Sequence, residues 1–346
     1  MKHSILTLAT AIFATAALFT ACKNDNSISL DTTQQIHYHF ASKTEGQKLM
    51  AGHTEYYASL SQNDIDWRMK KSGATLDELK AFGQQEVRDF SKEETIAMKK
   101  AMDYVEERLR LTGCRLPFPN DIAIVKTTMN EESGAGAYTQ KTEIYVGQTI
   151  VDYATGVGIE EEYKQAYFEY VSEIMAHELF HCLTRNNPDF RRKMYHLIGF
   201  NIMEQDIELP ASVKETLLSN PDVEHIDNYA EFLIDGRMRQ CELIVRYTKT
   251  WDEAYAIDGE NASFFNYNES VLIPLDDLET AFPIDGLDVF WDKIGHNSEY
   301  VFAPEEYLAD NFAFAVVYGL GGLNYPSPQL ISNILNLLKK EYGTDL

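Results

Sequence analysis

The stretch His177-Glu178-Leu179-Phe180-His181 is the pattern that decides how this chain is interpreted. In an α-helix, residues four positions apart lie on the same face, so both imidazoles can reach one zinc ion. Glu178, beside the first histidine, then flanks a water molecule bound to that ion. The motif therefore predicts two metal ligands, His177 and His181, and one general base, Glu178.

The flanking sequence predicts that this motif lies on a helix. No proline occurs between residues 159 and 184, and Gly158 immediately precedes the segment. Met175, Leu179 and Cys182 recur at helical spacing on the side away from the histidines, which predicts one packing face and one binding face. The alternative is an ordinary amphipathic helix that carries two surface histidines and binds no metal.

The composition is that of a globular protein. The chain has 346 residues, is 45% hydrophobic, and contains 20 Tyr and 18 Phe, which is enough to bury a full core in one large or two intimate domains. Its formal net charge of -24 repels phosphate backbones, so nucleic acid is not an expected partner. Cys114, Cys182 and Cys241 form no CxxC pair, which predicts neither a metal knuckle nor a disulfide framework.

The first 22 residues have the features of an export signal. Lys2 precedes an apolar stretch over residues 5–19, and Phe19-Thr20-Ala21-Cys22 ends it. The stretch is too short for a membrane span and resembles a bacterial lipoprotein signal peptide, with Phe19 where leucine is usual. The resemblance implies cleavage before Cys22, lipidation of Cys22, and anchoring to an outer membrane or cell surface. The alternative is an ordinary secretory signal that leaves Cys22 as a free cysteine.

Residues 1–21 are thus predicted to be a signal peptide, residues 22–35 a polar tether, and residues 36–346 the functional domain, of the α+β class. Ser91 and Glu94 form a capping box that begins a helix ending near Thr112. Asp235-Gly236 between apolar runs predicts a hairpin over residues 229–248. The other expected elements are helices in 36–90, 191–200, 304–318 and 327–342, strands at 121–127, 134–139 and 142–146, and irregular structure over 258–300.

A catalytic zinc site needs a third protein ligand and an open position for water. The extended pattern HExxHxxGxxH fails because Thr184 and Asn187 stand where glycine and the third histidine would be. This failure disfavours the metzincins. The candidates for the third ligand are His196, Glu204, Glu231, Glu305 and Glu306.

The segment from Glu306 to Asn311 has the form ExxxD followed by Asn. It resembles the second zinc motif of gluzincins of the thermolysin and neprilysin type, although the two motifs are farther apart here than in better-known members. The resemblance implies that Glu306 binds zinc and that Asp310 hydrogen-bonds a ligand histidine. Glu305 lies about 100° away around the helix and is interpreted as a helix-start carboxylate near Pro304. Longer strings around both motifs also resemble an uncharacterised group of predicted bacterial zinc peptidases.

The same resemblance implies a zincin-like fold, in which a small twisted sheet packs on the active-site helix and its edge strand pairs with an extended peptide. Small residues at positions 134–137 would let a substrate backbone approach, although a plain glycine-containing hairpin explains them equally well. The implied activity is zinc-dependent hydrolysis of peptides or proteins, with His225, Tyr229 or Tyr318 as candidate oxyanion donors. The alternatives are a zinc hydrolase acting on a non-peptide amide and a non-catalytic zinc- or peptide-binding surface lipoprotein.

Overall fold

The computed structural model of the chain describes residues 35–344. The predicted signal peptide, the lipidation site Cys22 and all of the predicted tether except Gln35 lie outside the described residues. Within the described range, no helix is long and apolar enough to cross a membrane.

Helices are the most abundant regular structure of residues 35–344. They are α1 (Lys43–Ala51), α2 (Thr54–Ser59), α3 (Gln62–Met69), α4 (Leu76–Glu86), α5 (Lys92–Leu111), α6 (Gln148–Thr155), α7 (Lys164–Asn186), α8 (Pro188–Leu197), α9 (Ala211–Thr216), α10 (Trp251–Asp258), α11 (Asp288–Ile294), α12 (Pro304–Val317), α13 (Gly319–Gly322) and α14 (Pro328–Tyr342). The predicted capping box at the start of α5 is present, since the Ser91 and Glu94 side chains each bond the other's backbone N–H.

The strands form two separate sheets. They are β1 (Tyr38–Phe40), β2 (Val87–Arg88), β3 (Ile122–Thr127), β4 (Ala137–Gln140), β5 (Glu143–Gly147), β6 (Phe200–Ile202), β7 (Asn228–Ile234), β8 (Arg237–Tyr247), β9 (Asn268–Pro274) and β10 (Phe282–Pro283). Helices and sheets together make a mixed fold that is compatible with the predicted α+β class.

The first sheet has the order β1-β3-β5-β4, with β2 added beside β3. β3 runs parallel to β1 and β5, whereas β4 is antiparallel to β5 and ends the order. Ile124 and Ile144 face the main core on one side, and Val125 and Tyr145 face a smaller cluster around Met50 on the other. Alternation along each strand therefore buries both faces, as expected for a sheet covered by helices on both sides.

The second sheet is entirely antiparallel, with the order β10-β9-β8-β7-β6. Its centre is the predicted hairpin, in which Asp235 and Gly236 both adopt positive φ values of 51° and 76° and so fit a tight two-residue turn. The expectation of irregular structure over residues 258–300 is wrong, because β9, β10 and α11 lie there. β9 pairs along β8, a partner more than 20 residues away, so its first, polar half carries no local strand signal.

The motif helix α7 runs through the centre of the molecule. It packs against β4 and β5 and lies along α12. Met175, Leu179 and Cys182 are fully buried, as the helical spacing predicts, but His177 and His181 are also buried, at 7% and 0% exposure. The predicted binding face is therefore covered by α12, and the alternative of two surface histidines is wrong.

Candidate metal centre

Two buried helices bring the motif histidines to Glu306. The Nε2 atom of His177 lies 3.0 Å from Oε2 of Glu306, and Nε2 of His181 lies 3.7 Å from the same oxygen. Ligand atoms placed tetrahedrally around zinc at its usual bond lengths are about 3.3–3.6 Å apart. The three side chains are thus arranged as ligands of one ion would be, and α7 and α12 fix them from opposite sides.

His181 provides a direct test of whether a metal fits. Its Nε2 atom is buried and has no hydrogen-bond partner among the described residues, while its side chain is 0% exposed. A buried polar nitrogen without a partner costs about 1–3 kcal/mol, so proteins rarely leave one in this state. A metal ion bound between this nitrogen, His177 and Glu306 would satisfy it. Two imidazoles and one carboxylate are a donor set typical of catalytic zinc.

The second ring nitrogen of each imidazole, Nδ1, contacts a carboxylate. Nδ1 of His177 lies 2.8 Å from Oδ1 of Asp310, and Nδ1 of His181 lies 3.2 Å from Oε1 of Glu305. Such carboxylates fix the ring orientation and tautomer of a metal-binding histidine, leaving Nε2 toward the ion. The Asp310 contact was expected from the motif resemblance, and Ser298 donates a further hydrogen bond to Asp310.

Glu305 lies in the first turn of α12, as expected for a helix-start carboxylate, but this interpretation is incomplete because Glu305 also contacts a histidine of the centre. Glu305 is only 5% exposed and accepts hydrogen bonds from the hydroxyls of Tyr195 and Thr184 in addition to its contact with His181. Burial raises the pKa of Glu305, but the hydrogen bond and charge of His181 outweigh this and hold the pKa below its ordinary value. The helical-phase argument considered only one neighbouring helix, whereas Glu305 lies between α7 and α8.

Glu178 lies between the histidines and the first sheet. Its Oε2 accepts a hydrogen bond of 2.6 Å from Oγ1 of Thr139 on β4, and the side chain is buried. Burial raises the pKa of Glu178, and the charges of the two histidines oppose that rise. A carboxylate with a raised pKa holds a proton more readily than a free carboxylate, which suits a group that accepts and returns a proton.

The centre is completed by a segment that sequence reasoning missed. Asn220 donates a hydrogen bond of 2.6 Å from Nδ2 to Oε1 of Glu306. Oδ1 of Asp222 lies 3.8 Å from Nε2 of His181, and Asp222 is buried. Asn220-Pro221-Asp222 carries a turn signal in the sequence, but nothing local indicates that the turn meets the motif helix.

Tyr300 is another residue that the sequence did not indicate. Its ring centre lies 6.3 Å from that of His177, and 37% of the residue is exposed. It lines a small cavity together with Ala137 of β4 and with Asn220. Tyr300 is therefore a partly exposed tyrosine whose ring lies beside the first histidine.

The three candidate oxyanion donors contact other residues. His225 is exposed and pairs with Asp206, with 3.1 Å between Nδ1 and Oδ1. The hydroxyl of Tyr318 donates to Glu173 at 2.7 Å, and Tyr229 lies on β7 opposite Asn201 of β6.

The remaining third-ligand candidates are also excluded by position. The side chains of His196, Glu204 and Glu231 are exposed, so they cannot reach a buried ion. Glu306 alone among the five candidates faces Nε2 of both histidines.

Comparisons with known proteins add no family assignment. No family model, curated protein or solved structure matches the chain. The geometry of the centre is therefore the basis for a functional proposal.

Proposed function

We propose that the protein is a zinc-dependent peptidase with a gluzincin-like centre, in which His177, His181 and Glu306 bind the ion and Glu178 is the general base. The observation that carries the proposal is Nε2 of His181, which has no hydrogen-bond partner within residues 35–344, faces Glu306 and lies beside Nε2 of His177. A catalytic zinc site needs three such donors and one open position. The carboxylates of Asp310 and Glu305 at the two Nδ1 atoms further support metal binding.

The surroundings of Glu178 support peptide hydrolysis. When bound, zinc supplies Lewis acidity, which makes water nucleophilic at neutral pH and polarises a substrate carbonyl. Glu178 would accept a proton from water as the water oxygen bonds to the carbonyl carbon. It would then return that proton to the amide nitrogen as the C–N bond breaks. Thr139 orients this carboxylate through its hydroxyl.

The first sheet supports an extended substrate. β4 is antiparallel to β5 and ends the sheet, next to Glu178, as the edge strand of a zincin-like fold would be. An extended peptide can add to such an edge through main-chain hydrogen bonds. We propose that Tyr300 donates to the oxyanion in place of the three residues expected from the sequence, because its ring lies beside His177.

The test of the activity is a Glu178→Gln variant assayed on a peptide library. We expect hydrolysis to fall by about 10²–10⁴-fold, because proton transfer is lost while no metal ligand changes. Zinc content should stay at the wild-type value. Glu162→Gln is the matched control, since Glu162 is exposed and precedes the same helix. Equal cleavage by wild type and Glu178→Gln would assign the activity to another site.

A non-catalytic zinc- or peptide-binding protein is the second candidate. It is favoured by one contact, the hydrogen bond of 2.6 Å between Asp222 and the Thr139 N–H, which occupies part of the β4 edge. Zinc binding without cleavage of any library peptide, by wild type and Glu178→Gln alike, would favour this candidate.

We also propose that the mature protein is anchored to an outer membrane or cell surface through lipid on Cys22. The proposal rests on the resemblance of residues 1–22 to a lipoprotein signal peptide. A Cys22→Ala variant should lose lipid labelling and be released or left unprocessed. Lipid labelling that persists in this variant, compared with wild type in the same cells, would contradict the anchor.

A further inference from the structure

A short segment lies across the edge of the first sheet where a substrate would be expected. Residues 219–224, here called the strap, contact β4 at two points. The Thr139 N–H donates to Oδ1 of Asp222 at 2.6 Å, and Nε2 of Gln140 donates to the Pro221 carbonyl at 2.8 Å. β4 pairs with β5 on its other side. The strap therefore already accepts the hydrogen bond of the Thr139 N–H, which is a donor that an added peptide strand would use.

The strap also reaches the candidate metal centre. Asp222 lies 3.8 Å from Nε2 of His181, a separation close to that of two ligands on one ion. Ligand atoms of Asp222, His181 and Glu178 lie within 4.8 Å of one another, and this group shares His181 with the three proposed ligands. Asn220 holds the second oxygen of Glu306. The strap thus contacts the proposed metal ligand Glu306, lies close to the proposed general base Glu178, and bonds the edge of β4.

Buried ion pairs hold the strap at its N-terminal end. The Ser219 backbone N–H and hydroxyl donate to Asp64 at 3.0 and 2.9 Å, and Nη2 of Arg68 donates to the Ser219 carbonyl at 2.6 Å. Arg68 is paired with Glu132 at 2.8 Å, and all three charged side chains are buried. Removing one partner from such a network costs about 3–5 kcal/mol, so the position of Ser219 is strongly fixed.

A second cation holds the other end. Nη2 of Arg185, on the last turn of the motif helix, donates to the Pro221 carbonyl at 3.0 Å, and its Nε pairs with Glu224 at 3.0 Å. The segment is therefore positioned by the motif helix itself as well as by α3. Both ends of the strap are fixed by hydrogen bonds and ion pairs, which indicates that its position beside the centre is specific.

We propose that the strap is a built-in inhibitor, in which Asp222 supplies a fourth protein ligand to the metal and covers the edge of β4. Four protein ligands make a closed centre, whereas catalysis needs one open position. A peptide strand can pair with β4 only after Asp222 withdraws from the Thr139 N–H. The assignment of Asp222 as a metal ligand concerns the metal centre alone, whereas inhibition by the strap rests on the proposed peptidase function.

The test uses the full-length protein with Asp222→Ala and Asp222→Asn, and with Asp206→Ala as a control on an exposed aspartate. Zinc affinity is measured by competition with a chelator. Both Asp222 variants should bind zinc at least about tenfold more weakly, since removal of a ligand should cost no less than loss of an outer contact. Asp222→Asn can still accept the Thr139 hydrogen bond, so it guards against misfolding of the alanine variant. Affinity within twofold of wild type in both variants would overturn the ligand assignment.

Inhibition is tested with fluorophore-labelled casein at saturating zinc. Cleavage should be about tenfold faster in Asp222→Ala than in wild type or Asp206→Ala, and Asp222→Asn, which keeps the Thr139 hydrogen bond, should lie between them. In a Glu178→Gln background, Asp222→Ala should bind labelled casein more tightly. Unchanged or lower cleavage and binding would overturn the inhibitory part. Absence of zinc from the wild-type protein would instead refute the proposed function, and this inference with it.

Discussion

The helix pair α7 and α12 and the long segment between them contribute to the same centre in different ways. The helices supply His177, His181 and Glu306 from regular backbone, at spacings visible in the sequence. The intervening segment supplies Asn220 and Asp222 from a turn between α9 and β7. Helical periodicity identifies residues that face one point, whereas a turn reaches that point only through long-range packing.

The largest expected effect concerns the helix pair. A His177→Ala/His181→Ala double variant should bind no zinc, against about one ion per chain in wild type, because two of three donors are lost. His196→Ala is the matched control, since His196 is exposed on α8. Elemental analysis of the purified proteins is the measurement. Equal zinc content in the double variant and wild type would place the metal outside this helix pair.

The helix pair shows how far sequence reasoning extends. The HExxH spacing predicted a helix and two converging imidazoles, and the ExxxD resemblance singled out Glu306 and Asp310, which the structure places beside them. Both motifs are short, so helix geometry alone determines which of their residues share a face. The assignment of these residues to zinc stays a prediction.

Sequence reasoning was incomplete for residues whose surroundings come from segments distant in the sequence. Glu305 follows the helical phase away from Glu306, yet the interior is filled on that side too, by α8 with Tyr195 and by Thr184 of α7. In the intervening segment, β9 begins with Asn268 and Glu269, which carry no strand signal without their partners on β8. Tertiary pairing decided both cases, and no single-helix or single-strand pattern contains it.

A set of amide variants tests the corrected view of Glu305. Glu306→Gln should weaken zinc binding most, because a ligand charge is lost. Glu305→Gln and Asp310→Asn should each weaken it by about 10–100-fold, because each removes the carboxylate that orients one histidine. Zinc titration against a chelator is the measurement, with exposed Glu204→Gln as the control. An unchanged affinity in Glu305→Gln would restore its interpretation as a plain helix-start carboxylate.

The smallest expected effect separates the strap from the helices. Asn220 donates to Oε1 of Glu306, while Oε2 of that carboxylate faces the histidines. Asn220→Ala should therefore leave all three ligands in place but release one oxygen of Glu306. We expect zinc affinity to fall by about tenfold or less, at the low end for a residue that orients a ligand. The control is Asn266→Ala, on an exposed asparagine. A loss as large as that of Glu306→Gln would mean that the strap, and not helix packing alone, determines where the third ligand lies.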